Sequence, residues 1–165
     1  MREVLASDAG VVIALIDCVA YSTGFMFTIA LRTKDEIDAR EMGFGPPFAG
    51  GERRHMGMEF GIQFADGSTA ASGGTLSPEL IARLRRHAEG HETLSSDGPI
   101  LAPRSGGGGG KRWDFQYWVW PLPPEGKLTI TCEWRSRGMV LASHDLDGAA
   151  IRRAGAASTS FWKDA

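Results

Sequence analysis

Two stretches, Arg112 to Trp120 and Lys127 to Trp134, alternate apolar and polar residues without a break and are joined by Pro121-Leu-Pro-Pro-Glu-Gly126. A period of two puts successive side chains on opposite faces of an extended chain, whereas a helix needs a period near 3.6, so both stretches are read as strands. Trp113, Phe115, Tyr117 and Val119 share one side of the first, and Leu128, Ile130, Cys132 and Trp134 share one side of the second. The short linker predicts an antiparallel hairpin with Trp120 opposite Lys127. That register pairs Val119 with Leu128, Tyr117 with Ile130, Phe115 with Cys132 and Trp113 with Trp134, one wholly apolar face. The other face then carries Arg112/Arg135, Asp114/Glu133, Gln116/Thr131 and Trp118/Thr129.

A second hairpin is predicted upstream. Val11 to Ala20 and Phe25 to Thr33 are rich in β-branched and aromatic residues and flank Tyr21-Ser-Thr-Gly24. A four-residue loop pairs Ala20 with Phe25, Cys18 with Phe27, Ile16 with Ile29 and Ala14 with Leu31, with Asp17 opposite Thr28 and Ile13 opposite Arg32 on the other face. Lys34 to His55 reads as a long connection, since its Gly-Phe-Gly-Pro-Pro-Phe-Ala-Gly-Gly run excludes regular structure. Met58, Phe60, Ile62 and Phe64 alternate with Glu59, Gly61, Gln63 and Ala65, a half-buried strand. Asp66-Gly67 is a hairpin turn leading to a weak returning strand, Ser68 to Ala71. Ser77-Pro78-Glu79 has the form of a helix start, with Leu80, Ile81, Leu84 and Ala88 on one stripe. Pro99 to Ala102 reads as a short strand, Leu141 to Leu146 as a last one, and Asp147 as the cap of a short helix.

Nothing in this order alternates as βαβ. Two buried hairpins and several shorter strands predict an all-β fold: an antiparallel, immunoglobulin-like β-sandwich with one or two short peripheral helices, formed as a single domain over residues 1–165. With 42% hydrophobic residues the chain can build one core, and a net charge of −2 gives no general attraction to nucleic acid or anionic lipid. The longest apolar run, Val11 to Ile16, stops at Asp17, short of the ~20 residues that a membrane helix needs. The first residues lack the pattern of a signal peptide, so the cytoplasm is expected, with Cys18 and Cys132 reduced and serving as small apolar core residues.

The stretch Gly106-Gly-Gly-Gly-Gly-Lys-Arg-Trp-Asp-Phe-Gln-Tyr-Trp-Val-Trp-Pro-Leu-Pro-Pro-Glu-Gly-Lys-Leu-Thr-Ile-Thr-Cys-Glu-Trp134 resembles the signature of a group of small actinobacterial proteins. The Tyr21-Ser-Thr-Gly-Phe-Met-Phe-Thr28 turn and Phe60-Gly-Ile-Gln-Phe-Ala-Asp-Gly67 resemble the same group. The resemblance implies one intact domain in a bacterial cytoplasm, and it implies no activity.

The pentaglycine before Lys111 lacks the Ser/Thr of a phosphate loop, has Arg112 in its place and precedes a strand, so it reads as a flexible connector. His87 and His91 stand four apart as zinc ligands on one helix would, but Gly90 falls between them, no third ligand is evident, and no metal is expected; His55 and His144 read as solvated. Asp114 facing Glu133 is explained by the neighbouring Arg112 and Arg135. Asp35, Glu36, Asp38 and Glu41 lack the spacing of a calcium loop. No nucleophile elbow occurs, so no catalytic residue is assigned, and no cofactor. Trp118 and Trp120, facing away from the core beside Gln116, can stack on a ligand or anchor a partner. Together with Phe44 and Phe48 of the long loop they form the expected contact surface. The expected function is protein–protein interaction without catalysis, by self-assembly or as an accessory subunit. Small-ligand or carbohydrate binding on the same tryptophans is the alternative, and a metal-dependent hydrolase the third. Neither nucleic acid nor membrane is expected as a partner.

Overall fold

The computed structural model describes residues 2–8, 10–38, 58–72 and 98–159. Eight strands follow in chain order: β1 (Glu3–Asp8), β2 (Val11–Ala20), β3 (Phe25–Ile37), β4 (Glu59–Gln63), β5 (Thr69–Ala71), β6 (Ile100–Trp120), β7 (Lys127–Trp134) and β8 (Met139–Asp147). A helix, α1 (Gly148–Ala156), closes the described chain. The strands form two four-stranded antiparallel sheets, ordered β1-β2-β3-β6 and β5-β4-β7-β8. One apolar core lies between them. Phe25, Phe27, Ile29, Leu31, Trp113 and Val119 of the first sheet meet Phe60, Ile62, Leu128, Ile130, Cys132 and Trp134 of the second. One aromatic contact crosses the gap, with Tyr117 5.1 Å from Phe60, and within its own sheet Tyr117 stacks on Phe27 at 5.4 Å. Tyr117 and its hydrogen-bond partner Ser72 also join the sheets, and burial pushes the Tyr117 hydroxyl well above the usual phenol range.

The buried faces of β6 and β7 are those the alternation predicts, but their pairing is not. β6 lies against β3, with Val119 opposite Phe25, Tyr117 opposite Phe27 and Phe115 opposite Ile29. β7 lies between β4 and β8. The expected 112–134 hairpin is therefore an arch whose arms face each other across the core. An apolar face packs equally well against an in-sheet neighbour's face or against an opposing sheet, so alternation alone does not distinguish the two. As a result Asp114 and Glu133 belong to different sheets. Asp114 pairs with Arg32 at 2.9 Å and Glu133 with Arg135 at 2.8 Å.

The β2–β3 hairpin keeps its predicted turn, with Ala20 opposite Phe25 and a Tyr21 N–H to Gly24 O bond of 2.8 Å. Beyond Asp17 the register slips by a β-bulge at Ile16, so that Leu15 faces Ile29 and Ile13 faces Leu31. A bulge sets two residues against one and exchanges the faces beyond it. Ile13 and Leu15 thereby enter the core, and Ala14 and Ile16, expected there, do not. The unbroken apolar run 11–16 carries no alternation that marks the exchange.

A further correction concerns the glycine run. Gly106 to Gly110 lies inside β6, not in a free connector. Twenty-one residues at ~3.3 Å each would reach about 70 Å if straight. The Ser105 hydroxyl instead donates to Gln116 Oε1 at 2.7 Å, and a side chain at Gly108 would meet Arg112 O at 2.2 Å. The strand therefore doubles back at the glycines, where Gly110 takes φ +57° and accepts a 3.2 Å bond from the Trp113 indole. Other predictions hold. β4 and β5 form the Asp66-Gly67 hairpin, with Asp66 bonded to the Ser68 N–H at 2.9 Å. Asp147 caps α1 by accepting from the Ala150 N–H at 3.0 Å. The predicted 77–90 helix, His55, His87, His91, Phe44 and Phe48 lie outside the described residues.

Both cysteines are free, Cys132 buried and Cys18 half-buried against the core. Burial pushes each thiol up to about 11, with the neighbouring Asp17 charge adding to the effect at Cys18. Since the thiolate is the reactive form, both should resist labelling by a disulfide reagent at pH 8 and react at once in denaturant. The linkage has a definite sign. Between the ordinary thiol value near 9 and about 11 the unfolded chain ionises and the folded one does not, so stability falls as pH rises through that window. Fast labelling of either thiol in the folded protein at pH 8 would contradict this placement.

Candidate functional site

The two sheets differ on their outer faces. That of the second sheet is polar, as expected for a sheet with one face in water. It carries Glu59, Gly61 and Gln63 of β4, Thr129, Thr131 and Glu133 of β7, and Ser143 and Asp145 of β8. Thr129 donates to Asp145 at 2.7 Å, and Lys127 stands 3.1 Å from the same carboxylate. These bonds, that from Thr129 first, hold the Asp145 carboxyl below its ordinary range. Val140 and Leu141, 76% and 65% exposed, interrupt this face at the point where the β7–β8 register shifts.

The outer face of the first sheet is mixed, with apolar side chains at many of its positions. Register places its outer residues in rows across the strands. Val19, Met26 and Trp118 form one row, Asp17, Thr28 and Gln116 the next, then Val4, Ala14, Ala30 and Asp114, then Ser7, Val12, Arg32 and Arg112. Val4 is 58% and Val19 37% exposed, while Val12, Ala14, Met26 and Trp118 are half-buried. A sheet with one solvated face should carry polar side chains at these positions. Here apolar residues from all four strands take half of them, with the polar row Asp17, Thr28 and Gln116 in between and Ala30 itself buried.

Trp118 and Gln116 therefore face outward as predicted, and Trp120, two residues on from Trp118, follows by alternation, but neither ring stands free. Trp118 is half-buried, packed on Tyr21 at a centroid separation of 5.6 Å and an interplanar angle of 52°. Gly24 leaves room for it, since a Cβ there would lie 2.7 Å from the indole. Trp120 is half-buried as well. Gln116 is occupied by Ser105. Tyr21, 42% exposed, is held in place from behind by α1, whose Gly155 backbone packs against Tyr21 O and Leu122. Val4, Val12, Ala14, Val19, Tyr21 and Met26 were missed as site residues. Their only signal was the absence of polar residues where alternation calls for them, and the bulge at Ile16 hid it.

At the far end of this face Arg32 is tied down by bonds to Leu31 O, Trp113 O and Asp114, all between 2.8 and 3.0 Å. Arg112, directly opposite Arg32, is exposed and makes no ion pair among the described residues. Among the described residues, no group of three or more His, Cys, Asp or Glu side chains is arranged to hold a metal ion, and no helix is long and apolar enough to cross a membrane. His144 stands 3.2 Å from Glu3, joining the β8 edge of one sheet to the β1 edge of the other.

Fold and face together define a class: an antiparallel two-sheet β-protein whose first sheet carries apolar side chains on its outer face as well as its inner one. Compared with known proteins, the chain matches no family model, no curated protein and no solved structure.

Proposed function

We propose that this chain is a non-catalytic, immunoglobulin-like sandwich of the cytoplasm that works by binding a protein through the outer face of the β1-β2-β3-β6 sheet. The observation that supports it is the asymmetry of the two outer faces. One is polar throughout its centre, and the other carries Val4, Val12, Ala14, Val19, Met26 and Trp118 in register. Apolar area of this kind is favourable to remove from water at roughly 25 cal/mol per Å². Apolar side chains set among polar ones are the usual make-up of a protein interface taken as a whole. Trp118 and Tyr21 supply the large aromatic surface on which binding energy concentrates.

The test is native mass spectrometry of the protein purified from its own cells. The wild type should carry a stoichiometric protein companion, a second copy or another chain. Val19→Asp with Trp118→Ser should lose it, and Thr131→Asp on the polar sheet should keep it. Equal retention by both variants, or no companion at all, would refute the reading.

A further inference from the structure

Resting on that reading, we infer that the occupant of the face is a second copy of this chain, packed sheet on sheet about a two-fold axis that crosses the strands between the Thr28 and Ala30 rows. The face is self-complementary about that line. One end presents the Trp118 ring and Met26, the other presents Arg112 and Arg32, and the rows Asp17, Thr28, Gln116 and Ala14, Ala30, Asp114 lie between. An isologous contact brings each end of one copy onto the opposite end of the other. Trp118 then meets the partner's Arg112, Met26 meets the partner's Arg32, and Val19 meets the partner's Val12. Each contact occurs twice.

The chemistry of these pairs agrees. Arg112 is the cation of this face that lacks an ion pair among the described residues, and it also sits opposite another arginine in the ladder. Like charges in that position are unfavourable within one chain. An indole face answers such a cation by attraction to the ring's negative face. Arg32 enters the interface already neutralised by Asp114 at 2.9 Å, so no unpaired charge is buried with it. Gln116 falls against the partner's Asp114 and Asp17 against the partner's Ala14, so no like charges are brought together. Two sheets packed face to face commonly align their strands within about 30°. Four strands about 4.8 Å apart and some ten residues long present roughly 600 Å² in projection. Their corrugated side chains expose more than this, close to the ~800 Å² that each partner of a stable pair buries.

Light scattering and sedimentation of the purified full-length chain test this. The wild type should have the mass of a dimer. Arg112→Glu should raise the dimer dissociation constant at least tenfold, and Trp118→Ala by a similar factor. Combining Arg112→Ala with Trp118→Ala should cost less than the two single changes multiplied, because both remove the same contact. Lys111→Glu, a cation at the hairpin tip beside this face, should leave the mass unchanged, and circular dichroism should report every variant folded. A monomeric wild type at 100 µM overturns the second-copy assignment. If the protein from its own cells still carries a foreign chain that the face variant loses, the interaction reading stands without it. A dimer indifferent to Arg112→Glu places the interface elsewhere and overturns the arrangement.

Discussion

Trp134→Ala should lower the stability of the folded chain by about 3–5 kcal/mol, measured by urea unfolding. Trp134 is 0% exposed, at the end of β7 on the core face, and is among the largest fully buried side chains. Its removal leaves a cavity walled by two sheets that are held by their own ladders and cannot close over it. For a domain whose whole stability lies in the range of about 5–15 kcal/mol, that loss brings the variant near the threshold of folding. Trp134→Phe separates packing from polarity. The buried Trp134 Nε1 has no hydrogen-bond partner among the described residues, so the indole N–H is a desolvated donor that costs about 1–3 kcal/mol to bury. Phenylalanine gives up some ring volume and removes that donor. It should therefore stay within about 1.5 kcal/mol of wild type, and it keeps a ring beneath the Arg137 guanidinium, which lies 5.6 Å from the Trp134 ring. If Phe costs as much as Ala, the indole N–H is satisfied in solution, and the orphan-donor account is wrong.

Gly24→Ala should be the most damaging single-methyl addition to the face itself, at about 1–3 kcal/mol. A Cβ at Gly24 would stand 2.4 Å from Val119 O and 2.7 Å from the Trp118 ring. The first neighbour is backbone, so relief requires the ends of β3 and β6 to part. The second is the indole at one end of the candidate face, so the Tyr21–Trp118 contact should be disturbed along with the fold. Near-ultraviolet circular dichroism should register that disturbance. Gly67→Ala is the control of opposite kind. Its φ of +86° strains any L residue, yet nothing lies within 4 Å of the added methyl, so about 1 kcal/mol is expected, with no change at the tryptophans. A neutral Gly24→Ala would mean that the strand ends are looser than the 2.4 Å approach implies.

What could be read from the chain was local. The alternation of 113–119 and 128–134 placed every one of those core residues correctly, because burial on one side of a strand needs only period two. The Tyr21–Gly24 turn, the Asp66-Gly67 hairpin and the Asp147 cap were legible for the same reason, since a turn or cap is set by residues a few positions apart. The outward direction of Trp118 and Gln116 followed from the same alternation. Their surroundings did not, since Tyr21 is brought onto Trp118 by the hairpin turn and Ser105 onto Gln116 by a strand that folds back on itself.

The sequence by itself determined which residues turn inward, where the chain reverses and that the fold is built of antiparallel strands. Each of these depends on side-chain period and on conformational preference over a few residues. Only the tertiary structure decided which strand lies beside which. A row of apolar side chains gains the same burial against a sheet neighbour as against an opposing sheet, and one bulge at Ile16 moves Ile13 and Leu15 to the core without altering composition. That choice of partners aligned Val4, Val12, Ala14, Val19, Met26 and Trp118 across four strands, and so gathered scattered apolar residues onto one outer face, on either side of the polar row Asp17, Thr28 and Gln116.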